Sequence, residues 1–108
     1  MTVSGLCDAL SLRVFHLSDG QRTVSGGYAG DLLSWVMGRA REDSCWITIM
    51  SNANVAAVAL MADVACVLLA EGVEPDDDLL RRAGENDIAL LGSGESVFSL
   101  CARVSALL

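Results

Sequence analysis

The sequence predicts an α/β fold, a three-layer α/β/α arrangement around a mainly parallel sheet of four to five strands. Short β-rich runs alternate with segments of helical period, which is the signature of strand–helix–strand crossovers. The runs at 45–50 (CWITIM) and 64–70 (VACVLLA) are almost solidly apolar, as parallel strands covered on both faces must be. A chain of 108 residues can bury one core, so residues 1–108 are read as a single domain.

Taken in order, residues 4–10 place Leu6, Ala9 and Leu10 at helical spacing, and residues 12–17 alternate as a strand. Residues 18–21 (SDGQ) carry turn chemistry, and residues 22–25 suit a short extended piece. The glycines Gly26, Gly27 and Gly30 are read as a sharp turn, with Asp31 capping or charging the start of a helix over 31–41. That helix turns Leu32, Leu33, Val36, Met37 and Ala40 inward. After the strand at 45–50, Ser51, Asn52 or Asn54 caps a helix from Val55 to about Met61. Pro75 and the acids Asp76 to Asp78 mark the clearest helix start, with Arg81 and Arg82 toward its other end. Residues 88–92 form a further buried strand. Residues 96–107 form a last helix with Val97, Leu100, Cys101, Val104 and Leu107 in one stripe.

Composition excludes several classes of function. Fourteen acids oppose seven bases, all of them arginine, and the net charge of −7 repels nucleic acid and anionic lipid. No apolar run is long enough to span a bilayer, and the start of the chain lacks the pattern of a signal peptide, so a cytoplasmic location is expected. Hydrophobic residues make up 53% of the chain, which suggests apolar surface covered by a partner and, first of all, a homodimer. Cys7, Cys45, Cys66 and Cys101 form no C-x-x-C pair and sit among apolar neighbours, so they are read as reduced core residues rather than metal ligands.

The motifs argue against catalysis. The run Gly26-Gly27-Tyr28-Ala29-Gly30 matches neither dinucleotide nor P-loop spacing, and the chain has no lysine to hold a phosphate. His16 is the only histidine, and no Ser or Cys lies in a nucleophile elbow. No catalytic residue, metal site or cofactor is therefore expected. In an open parallel sheet a ligand binds beyond the carboxyl ends of the strands, which the sequence places at 18–20, 51–54, 71–72 and 92–94. The candidate ligand or partner contacts are Gly26, Gly27, Tyr28, Asp31, Ser34, Thr48, Asn52, Asn54, Glu71 and Gly72.

Over nearly the whole chain the sequence resembles the DRTGG-domain family. The resemblance lies in G-Y-x-x-D-L-L-S at 27–34, W-x-T at 46–48, N-x-x-A-V-A at 54–59, E-G-x-x-P-D at 71–76 and IALLGSGESVFSL at 88–100. The chain has SNAN where the family's Asp-Arg pair aligns, and Ala70-Glu71-Gly72 where its Thr-Gly-Gly aligns. Such domains resemble the non-catalytic amino-terminal domain of HPr kinase and occur beside CBS domains. The resemblance implies a regulatory or assembly module, homodimeric, with a larger protein or a small ligand as further partner. The alternative is a small transferase or hydrolase using Asp31 and Glu71.

Overall fold

The computed structural model describes residues 1–108. Its elements follow in the order α1 (Val3–Leu10), β1 (Arg13–His16), β2 (Gly26–Ala29), α2 (Leu33–Arg39), β3 (Ser44–Thr48), α3 (Asn54–Ala62), β4 (Cys66–Leu69), α4 (Asp77–Glu85), β5 (Leu90–Gly92) and α5 (Val97–Leu107). The strands form one five-stranded sheet in the order β1-β5-β4-β3-β2. Strands β2 to β5 run parallel, and β1 lies antiparallel against β5. The three-layer α/β/α fold with a mainly parallel sheet is therefore present.

The strand order β2, β3, β4, β5 advances one position at each crossover. A constant crossover hand then puts every connecting helix on the same face. Accordingly α2, α3 and α4 bury Val36, Val55, Ala56, Val58, Ala59, Leu79 and Ala83 with Trp46, Val67, Leu69 and Leu90. The opposite face is closed by the two ends of the chain: α1 and α5 bring Val3, Leu6, Leu10, Leu100 and Val104 onto Cys45, Ile47, Cys66, Leu68 and Leu91. Every residue of β3 and β4 is buried, which is why their sequences carry no polar alternation.

Three local expectations change. Gly26 to Ala29, read as a turn into a helix, form strand β2, in register from Gly26 opposite Ser44 to Ala29 opposite Ile47. Glycine tolerates strand geometry, and pairing to the strongly β-forming segment Cys45-Trp46-Ile47 decides the local conformation. Helix α2 is shorter than 31–41 and buries Val36 alone, with Leu33 and Ala40 partly covered; Leu32 and Met37 are exposed. In β1 the register breaks between Val14 and His16. That irregularity lets Leu12 and Leu17 both reach the α1/α5 core while Phe15 packs on the other side.

Phe15 closes over β5 so tightly that a Cβ at Gly92 would lie 2.6 Å from its ring. Gly92 is buried at the end of β5, and the half-buried Phe15 ring must shift to clear the added atom. Gly92→Ala is expected to lower stability by about 1–3 kcal/mol, measured by urea unfolding at constant m.

Candidate functional site

The carboxyl ends of the parallel strands are where the candidate residues should meet, and there Asp31, Thr48, Asn52 and Glu71 are held by hydrogen bonds to the backbone or to each other. Thr48, the last residue of β3, is fully buried, and its hydroxyl donates to Asp31 Oδ1 at 2.8 Å while accepting the Met50 amide at 3.2 Å. Asp31 Oδ1 also accepts the Ile49 amide at 3.0 Å. These amides emerge from the sheet without a partner strand and need an acceptor. Asp31 supplies one, so it fastens the β2–α2 connection to β3 instead of capping α2. Leu32 stands at the helix cap and offers no side-chain acceptor.

The same economy holds along the rest of the edge. Asn52 Oδ1 accepts the Asn54 amide at 2.9 Å, a local turn that leads into α3. Glu71 and Gly72 both take positive φ, 60° and 74°, which turns the chain sharply out of β4. Their amides reach the Glu95 and Ser93 carbonyls, and Glu71 Oε2 accepts the Val97 amide at 3.0 Å. The Glu71 carboxylate thus sits on the positive end of α5, beside Ser96, whose hydroxyl accepts the Ser99 amide.

The candidate residues fall into separate groups. Asp31 and Thr48 touch; Asn52 and Asn54 form their own turn; Glu71 and Gly72 lean on the β5–α5 loop; Ser34 is exposed on the first turn of α2. Gly26, Gly27 and Tyr28 line shallow grooves on both sides of β2, the outermost strand. At the carboxyl ends a cavity of about 100 Å³ lies between Arg13, Phe15, Gly72 to Glu74 and Gly92 to Gly94, and one of about 410 Å³ lies beyond the end of β2 between Tyr28, Asp31, Leu32, Trp35 and Arg39. Residues 18–20 are not at this end at all. Because β1 runs antiparallel, they lie at the amino ends of β4 and β5, where Ser18 Oγ donates to the Asp87 carbonyl.

That opposite end holds a cavity of about 480 Å³, rimmed by Ser18, Asp19, Arg22, Asp63, Asn86 and Asp87 over an apolar floor. Local sequence gives no sign of it, since it arises from the reversed strand. Arg22 is its one cation and is held by two acids. Its Nε donates to Asp43 Oδ1 at 2.9 Å, and Nη2 donates to the Asp63 carbonyl at 2.7 Å and Oδ1 at 3.0 Å. Burial by itself pulls the guanidinium pKa down, but the bonds to Asp43 and Asp63 outweigh it and hold Arg22 above its ordinary value. The rest of the rim is acidic or neutral.

The four cysteines, far apart in sequence, converge on the α1/α5 core. Cys45 and Cys66 stand opposite each other in adjacent strands. A thiol–thiol hydrogen bond with Cys66, together with burial, pushes Cys45 well above the usual thiol range, and burial raises Cys7. No group of three or more His, Cys, Asp or Glu side chains is placed to hold a metal ion. No helix is long and apolar enough to cross a membrane.

The architecture has a solved counterpart. The chain is similar in structure to the CBS and DRTGG domains of the regulatory region of Clostridium perfringens pyrophosphatase, solved in complex with the activator diadenosine tetraphosphate. The match has a TM-score of 0.75 and 14% identity, and it covers 95% of this chain and 45% of that one. The present chain therefore spans less than half the length of that structure, and the likeness is one of fold. No protein-family model matches the sequence, and none of the curated proteins is significantly similar to it.

Two measurements check this description. Asp31→Ala removes the acceptor for Thr48 and Ile49 and is expected to cost about 1–2 kcal/mol in urea unfolding, whereas Asp31→Asn keeps an oxygen there and costs less. The thiols have a pH signature as well. Cys45 and Cys7 stay protonated in the fold while unfolded thiols ionise near roughly pH 8.5, so the unfolded state binds fewer protons above that pH. Stability is then fully present below the unfolded thiol pKa and falls as pH rises beyond it, which urea midpoints between neutral and alkaline pH will show.

Proposed function

We propose that this chain is a regulatory or assembly domain of the DRTGG kind, without chemistry of its own, working as a homodimer in the cytoplasm. The observation that carries the reading is the use made of Asp31 and Glu71. Each carboxylate accepts a backbone amide at a strand or helix end, and Asp31 also accepts the Thr48 hydroxyl, so both have a structural use that accounts for their placement. The DRTGG resemblance of the sequence and the shared fold with part of a pyrophosphatase regulatory region support the same conclusion.

A small ligand is a secondary part of this reading, and its chemistry is constrained. The cavity between Phe15 and Gly92 is smaller than the roughly 300–1,000 Å³ of ordinary ligand pockets, whereas the one of about 410 Å³ beside Asp31, Leu32 and Trp35 falls within that range. The larger amino-end cavity is rimmed by acids around a committed arginine, so it suits a neutral or cationic molecule. The acidic rim of the amino-end cavity, together with the net charge of −7, disfavours a polyphosphate there.

Thermal unfolding in the presence of diadenosine tetraphosphate tests this. The expected result is an unchanged Tm. A ligand held at a hundredfold excess over its Kd would add about 2.7 kcal/mol, and a shift of that size would make the domain a nucleotide sensor. An enzyme using the two carboxylates would show turnover that disappears in Asp31→Asn and Glu71→Gln while the fold survives.

A further inference from the structure

The two edges of the sheet are built differently. The β1 edge carries the exposed Arg13, ion-paired with Glu74 and stacked over Phe15 at 4.6 Å, and it is broken by the irregularity between Val14 and His16. Charge and distortion are the usual means by which an edge strand refuses a partner. The β2 edge, Gly26-Gly27-Tyr28-Ala29, has no charged side chain, no proline and a regular four-residue register.

Its open hydrogen-bonding groups can be assigned. The Ala65 and Ala70 amides bond to the Ser44 and Thr48 carbonyls, so the even-numbered residues of β3 face β4. Cys45 and Ile47 must then face β2, and the Gly30 amide indeed bonds to the Ile47 carbonyl. Backbone groups alternate along a strand, so Gly26, Tyr28 and Gly30 turn toward β3, while Gly27 and Ala29 aim both N–H and C=O outward.

We infer that β2 pairs antiparallel with β2 of a second copy about a two-fold axis through Tyr28, joining two five-stranded sheets into one of ten. The inference rests on the homodimer reading above and names its surface. The two outward residues flank Tyr28 symmetrically, so Gly27 meets Ala29 of the partner subunit and Ala29 meets Gly27 of the partner subunit, with four backbone hydrogen bonds in all. Small side chains at both positions leave room for the approach.

The flanks agree with the same symmetry. The α2 segment and its flanks lie along this edge, with Arg39, Arg41 and Glu42 beside the start of β2 and with Asp31, Leu32, Trp35 and Arg39 beside its end. Antiparallel pairing brings start to end, so Arg41 of one copy is carried toward Asp31 of the partner subunit, with the apolar Leu32 and Trp35 beside the same seam. Trp35 is 51% exposed with Arg39 stacked 3.7 Å over its ring, and Leu32 is 57% exposed; both are large apolar groups left at the seam. On the other face, Leu108, Val104 and Cys101 of the α5 layer line a groove of about 320 Å³ along Gly27 and Ala29.

The test uses the full chain at micromolar concentration. Sedimentation should give a dimer, and Ala29→Pro, which removes one outward donor without touching a bond to β3, should give a monomer with an unchanged circular dichroism spectrum. Trp35→Glu should shift the same equilibrium toward monomer from the flank. If the proline variant does not fold, hydrogen exchange on the wild-type chain decides: the Gly27 and Ala29 amides should be protected on the order of 100-fold, with protection falling on dilution. A dimer whose Gly27 and Ala29 amides exchange freely, or that survives Ala29→Pro, overturns this surface and leaves the homodimer reading standing. A monomer at every concentration overturns both.

Discussion

Everything in this molecule depends on the burial of two adjacent parallel strands from both sides. Strands β3 and β4 have no face for water, so each needs a helix layer above and below, and the chain must supply five helices to cover them. The same burial determines what happens at the strand ends. An amide that leaves the sheet beyond β3 has no neighbouring strand, and a side-chain oxygen from elsewhere meets it. Asp31 and Thr48 are placed for that task, and Glu71 for the like one at the start of α5. Residues that look like chemistry in a list of motifs are, in space, fasteners.

Much of this was legible in the sequence because strong local signals and tertiary demands coincide. The unbroken apolar run at 64–70 is buried throughout, and Asp76 caps α4 by accepting the Leu79 amide, as the acidic helix start implied. The stripe Val97, Leu100, Cys101, Val104 and Leu107 does face one core. Where local signals are weak, the neighbours decide. Two glycines and an Asp read as turn and cap, yet pairing with β3 makes the glycines a strand and draws Asp31 to Thr48.

Other features have no local signature at all. Strand β1 reads the same in either direction, and only its seat beside β5 makes it antiparallel, which moves residues 18–20 to the far end of the sheet and opens the acidic cavity there. The convergence of four cysteines separated along the chain is equally a product of topology. For the candidate site, the partners of Asp31 and Glu71 are backbone groups, and a reading of side-chain types cannot see them.

The division of labour between the two faces also bears on how the chain folds. The α2–α4 face is assembled from consecutive strand–helix–strand units, each closing a loop of roughly 20 residues. The α1/α5 face joins helices that begin at Val3 and Val97, a separation of roughly 90 residues, and closing that span costs only about 1.3 kcal/mol more in chain entropy. The difference in free energy is small, but the two faces differ in contact order: one is closed by neighbours in sequence and the other by the two ends of the chain, whose contacts are the longest in range.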